Sequence, residues 1–167
     1  MPARPQVSVL TQHNDNTRTG ANLQEATLTV ATITNANFGK LAFRLVDGDI
    51  YAQPLIVSGA KGPAGDAKTI AIVATENNSV YAFDADNVTQ ASNAQLWQTN
   101  LAPAIDYHDL YGAIGSPFCT DITTQIGITS TPAIMLSGTG SARSGVVFVT
   151  AKSKSGPNYI YNLYALI

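Results

Sequence analysis

Oxygen-bearing side chains gather at several places along this chain. Asn14, Asp15 and Asn16 are consecutive, Asp47 and Asp49 flank Gly48, and Glu76 precedes Asn77 and Asn78. Asp84 and Asp86 follow, then Asp106 and Asp109. Hard oxygen donors of this kind suit Ca2+, which takes many oxygens at flexible geometry. The candidate metal ligands are Asn14, Asp15, Asp47, Asp49, Glu76, Asp84 and Asp86. No twelve-residue loop ends in the Glu that an EF-hand requires. Asp and Asn are also good turn formers, so both readings stand.

His13 and His108 are the only histidines. In "DYHDL", Asp106 and Asp109 lie beside His108, a pattern that can supply a general base with an orienting carboxylate. His108, Asp106 and Asp109 are therefore the candidate catalytic residues; a solvated loop histidine is the other reading. Two histidines cannot furnish a dinuclear zinc site, and there is no HxHxDH or HExxH run. No GxSxG elbow is present, and the glycines of "SGTGSARSG" follow neither GxGxxG nor a P-loop. Ser116 and Ser130 have no neighbouring base, and the single Cys119 has no partner thiol for a disulfide or redox pair.

These side chains need a scaffold, and composition limits its kind. Of 167 residues, 45% are hydrophobic and 12% charged, about half the usual charged share. Such a mixture suits many short strands joined by turns. One domain of this size can bury about 70% of its unfolded surface. The net charge of −2, with no basic cluster, offers nothing to nucleic acid or to an anionic membrane. No apolar run is long enough to span a bilayer, and "MPARPQVSVLTQ" lacks the apolar region of a signal peptide.

The strand pattern is regular. "TIAIVAT" (69–75) is apolar on both faces and reads as a strand buried on both sides. "ENNS" is a turn, "VYAF" a second strand, "DADN" a second turn and "QLWQTNL" (95–101) a third strand. "GDIYAQPLIVSG" (48–59) precedes them, with Pro54 at an edge or bulge because it has no N–H to donate. The sum is a four-stranded antiparallel meander over about residues 49–101.

A second copy follows. "ITSTPAIML" (128–136) echoes "IYAQPLIV", with Pro132 in the place of Pro54. "GVVFVTAKS" (145–153) echoes "TIAIVATEN", and "YIYNLYALI" (159–167) echoes "SVYAFDADN". Upstream, "GKLAFRLVDG" (39–48) matches "AQLWQTNL" as the outer strand of a preceding copy. The chain thus divides into a lead-in (1–39), an outer strand plus first repeat (40–101), a long insert (102–127) and a second, truncated repeat (128–167). A meander apolar on both faces needs neighbours on both faces. Radial stacking of such sheets makes a β-propeller, and a plain β-sandwich is the competing arrangement.

"YAQPLIV…IAIVATENNSVYAFDADN…QLWQ" resembles the repeat of the pyrroloquinoline-quinone-type (quinoprotein-like) β-propellers. "TQHNDNTRTGANLQEATLT…NFGKLAFRLVDGDIYAQP" is similar to the N-terminal segment of large exported bacterial propeller proteins of that superfamily. The resemblance runs from about Thr11 to Leu166. It implies an all-β fold, a partial propeller of about two four-stranded antiparallel blades, and an extracytoplasmic (periplasmic or secreted) location. The quinone-binding enzymes of the superfamily use a vicinal disulfide, a stacking Trp and a calcium-bound carboxylate. With one Cys and one Trp this chain departs from that set, and PQQ is not expected. Tyr81, Tyr161 and Tyr164 read as core or blade-interface residues.

Two functions follow as expectations. The first is a binding module for a small-molecule ligand or a partner, forming a homo-oligomer through bare strand edges. The second is a Ca2+-dependent hydrolase of small esters or lactones such as acyl-homoserine lactones, an architectural analogy only.

Overall fold

The computed structural model describes residues 7–34, 36, 38–62, 64–89, 94–111, 122, 124–138 and 143–167. The fold is all-β, with antiparallel sheets of four, two and three strands. The first sheet runs in chain order through β1 (Leu55–Lys61), β2 (Ala67–Ala74), β3 (Ser79–Asp84) and β4 (Gln95–Asn100). A small sheet pairs β5 (Ile105–Asp106) with β6 (Gln125–Ile126), and α1 (Tyr107–Tyr111) follows β5. The third sheet is β7 (Ala133–Ser137), β8 (Ser144–Ser155) and β9 (Asn158–Leu166), again in chain order.

Strand chemistry explains the boundaries. Pro54 and Pro132 stand just before their strands, with Pro54 outside the ladder. The register of β1 and β2 shifts between Val57 and Ala60, where Gly59 takes a left-handed φ of 68° that accommodates the bulge. The turn at 75–78 closes through Thr75 N–H to the Ser79 carbonyl, with Asn78 left-handed at φ 59°.

The two larger sheets pack face to face. Leu55, Val57, Ile72, Ala74, Val80 and Ala82 meet Ile134, Val147, Val149 and Ala151 in one buried cluster. Leu55, Val80 and Val149 are almost wholly removed from water, and each such burial stabilises the fold by about 1.5–3 kcal/mol. The lead-in fastens the inner edges together. Val9 exchanges both backbone hydrogen bonds with Ile56 of β1, and the Leu10 carbonyl accepts the Ile134 N–H of β7.

Three sequence expectations change. No described strand includes 39–48; instead Leu41, Ala42, Phe43 and Arg44 lie against Ala71, Val73 and Phe83 on the outer face of the first sheet. An extended segment that alternates half-buried and exposed residues carries a strand's period without a partner for its ladder. The strand expected over 48–59 begins only at Leu55. In place of a second four-stranded sheet, β7–β9 form a three-stranded one, with β9 at one of its edges.

Candidate functional site

The densest polar cluster is the tip of the β2–β3 hairpin. Thr75 Oγ1 donates to Asp47 Oδ1 at 2.9 Å, and Asn77 Nδ2 and Ser79 Oγ donate to Asp47 Oδ2 at 2.8 and 2.5 Å. The Asp47 N–H reaches the Tyr81 hydroxyl at 3.2 Å, and the Asp49 carbonyl accepts the Glu76 N–H. Burial works to raise the Asp47 pKa, but hydrogen bonds from Ser79, Asn77 and Thr75 carry it below the usual carboxylate value.

On the other side of the tip, Glu76 is 3% exposed and its Oε2 accepts the Gly127 N–H at 2.9 Å. Asn78 is fully buried and donates Nδ2 to the Lys152 carbonyl of β8 at 2.7 Å. Glu76 Oε1 and Asn78 Oδ1 have no hydrogen-bond partner among the described residues. Burial pushes the Glu76 pKa up, and the charge of Asp49 adds to the rise. The tip therefore ties together the 47–49 segment, Gly127 just after β6, and β8.

The remaining oxygen-rich loops satisfy themselves. Asp15 Oδ1 accepts from Thr17 N–H and Oγ1, and Asn14 Nδ2 donates to the Ala21 carbonyl. Asp84 pairs with Lys68 at 2.7 Å and caps the Asp86 N–H, while Asp86 Oδ2 accepts the Thr69 N–H. Of the candidate ligands, Asp47, Asp49 and Glu76 meet around one hairpin; Asn14 and Asp15, and Asp84 and Asp86, occupy separate turns. Among the described residues, no three His, Cys, Asp or Glu side chains form a group that could hold a metal ion.

His108 lies in α1 with Nδ1 3.0 Å from Asp106 Oδ1, and the same oxygen caps the His108 N–H at 2.8 Å. Both side chains face water, at 83% and 64% exposure. The hydrogen bond from the His108 N–H, then that from its ring, lowers the Asp106 pKa. Asp109 turns away to Lys154 at 2.8 Å. The structure thus joins two of the three candidate catalytic residues and separates the third. His13 has a left-handed backbone and takes the Gln53 side chain on its N–H. Ser130 Oγ lies 2.6 Å from Thr150 Oγ1, whereas Cys119 and Ser116 fall outside the described residues.

The tyrosines divide. Tyr81 is buried and stacks on Phe83, with ring centroids 5.6 Å apart, and Tyr164 packs at the edge of the core. Tyr161 is 69% exposed, as is Leu163, on the outer face of β7–β9 with Met135. Lys152 Nζ lies 5.2 Å from the Tyr161 ring centroid and 5.7 Å from that of Tyr159, within cation–π range. The sequence reads Tyr161 as a core or blade-interface residue, and it lies instead on this outer face, because packing and not the strand itself decides which side the first sheet covers. No helix among the described residues is long and apolar enough to cross a membrane. Comparison with protein-family models, with curated proteins and with solved structures finds no match to this chain.

Proposed function

We propose that this chain is a propeller-type binding module that associates head to tail with further copies of itself. One observation carries the reading. The cross-strand row Leu55, Ile72, Ala82 of the first sheet corresponds, repeat on repeat, to Ala133, Phe148, Ala165 of the third. The first row is buried against the third sheet, while its counterpart lies on the opposite, outward face with Met135 and Leu163. Likewise Ile134, Val147 and Leu166, which face the core, correspond to Ile56, Ala71 and Phe83 on the outer face of the first sheet.

Each sheet therefore has two unlike faces, stacked in the same sense. The exposed face of β7–β9 matches in kind the face that already takes a partner sheet. A neighbouring copy would present the outer face of its first sheet there. Its 40–46 segment, already lying on that face, would run along the free edge of β9 as a fourth strand. Contacts between unlike faces generate a ring if the rotation closes and a filament if it does not.

Molar mass by light scattering over a range of concentrations tests this. Multimers are expected for the native chain. Ala42→Pro, which spoils strand pairing in a segment that makes no ladder within one chain, and Leu163→Lys, which charges the outer face, should both lower the mass. A monomer at every concentration overturns the proposal.

The contact between His108 and Asp106 favours a second reading, the calcium-assisted ester or lactone hydrolase. His108, held by Asp106, would take the proton from an attacking water. Bound Ca2+ would supply polarisation of the carbonyl, but the candidate ligands form no cluster around this pair and no step is routed through it. Turnover of a lactone that is abolished by His108→Ala would bring this reading forward.

A further inference from the structure

At one end of the interface between the two larger sheets lies a cavity of about 280 Å³. Val57, Ile70 and Ile72 of the first sheet form one wall, and Ile134, Val147 and Leu166 of the third form the other. Trp97 of β4 lines it as well, and among the described residues the two cationic side chains on its lining are Lys61 and Arg143. Ligand pockets run from about 300 to 1,000 Å³, and this cavity lies just below that range, which limits an occupant to a short chain.

We infer that this cavity binds a small amphipathic anion, a short alkyl chain carrying a carboxylate. The walls recommend the chain, since branched apolar residues line both sides. The cations recommend the head group. Among the described residues neither Lys61 nor Arg143 forms an ion pair with a carboxylate. Arg143 Nη1 donates to the Ser58 carbonyl of β1 at 2.9 Å, which holds the guanidinium against the first sheet beside the apolar slot. A neutral ligand would fill the walls without using either cation, whereas a hydrophilic anion would leave the walls bare. The inference is independent of self-association, because every residue named belongs to one chain.

Trp97 is the only tryptophan and is 38% exposed, so its fluorescence reports on the cavity. Octanoate and octanol, equal in chain length and different in head group, are the probes. Octanoate should shift the emission to shorter wavelength in a saturable way. Lys61→Gln with Arg143→Gln should weaken octanoate by about tenfold or more and leave octanol unchanged, as loss of a charge-assisted contact requires. Both positions reach solvent, so the variants are expected to fold, and circular dichroism checks this. No saturable response to octanoate overturns the inference, as does an equal loss for both probes. A shift that follows protein concentration but not octanoate also overturns it, since a second copy would then occupy the space.

Discussion

Glu76 Oε2 accepts the Gly127 N–H at 2.9 Å, joining the β2–β3 hairpin tip to a residue 51 positions further on. The approach is close because Gly127 has no side chain. A Cβ there would overlap the Glu76 carbonyl oxygen and stand 2.5 Å from Asn78 Oδ1. Neither neighbour can swing aside, one being backbone and the other buried.

Gly127→Ala should therefore destabilise the fold by about 3 kcal/mol, the cost of overpacking a rigid site. Urea unfolding measures it. An unchanged midpoint would mean that the hairpin tip and Gly127 are not in contact in solution.

Glu76 carries a pH signature. Its pKa is raised in the folded chain above an unfolded value of about 4.3, so folding binds the proton more tightly. Its contribution is fully present below the unfolded value and is lost as pH rises through the folded one. A Gln at this position can keep the acceptor for Gly127 without a charge to desolvate. Glu76→Gln should therefore gain on the native chain as pH rises through that window and exceed it near neutrality. Parallel stability profiles would refute this.

Asp47 has the opposite sign. Its folded pKa is lowered, so its contribution is present above an unfolded value of about 3.9 and is lost as pH falls through the folded one. Asp47→Ala strands the Thr75, Asn77 and Ser79 donors and should cost about 1–2 kcal/mol at neutral pH. The cost should shrink on acidification, which unfolding at a series of pH values would reveal.

Lys68 bridges Asp84 at 2.7 Å and Asp66 at 3.2 Å, but the two carboxylates differ in burial, at 8% and 50% exposure. Lys68→Met would leave the Asp84 charge uncompensated in a largely dry place, whereas Asp66→Asn removes a partner that water can replace. Thermal melts should show the larger loss for Lys68→Met, and equal losses would show that Asp84 is better solvated than its position indicates.

The strands and their antiparallel order were legible. The segments around "PLIV", "TIAIVAT" and "VYAF" pair as read, with Leu55, Ile72 and Ala82 in one cross-strand row, and those around "PAIML", "GVVFVTAKS" and "YIYNLYALI" pair with Ala133, Phe148 and Ala165 in another. Local chemistry suffices for this, because strand period, turn residues and prolines without an N–H act within a few residues. The 40–46 segment shows where local reading stops. Its alternation is that of a strand, but a strand exists only where another edge accepts its backbone, and it lies instead against Ala71, Val73 and Phe83. The candidate sites divide in the same way: Asp106 capping His108 is a neighbour effect visible in "DYHDL", while Asp109 goes to Lys154 across the fold.

By itself the sequence determined the all-β class, the order of strands in the two larger sheets, the turn between β2 and β3 and which residues share a strand face. Those follow from the two-residue period of an extended chain and the preferences of Asn, Asp, Gly and Pro. Only the tertiary structure decided which faces are covered, that Glu76 meets Gly127, and that Trp97, Lys61 and Arg143 line one cavity. These are relations between residues far apart in the chain. They depend on how two sheets with similar apolar patterns choose one of their two faces, a choice made by packing and not by any single segment.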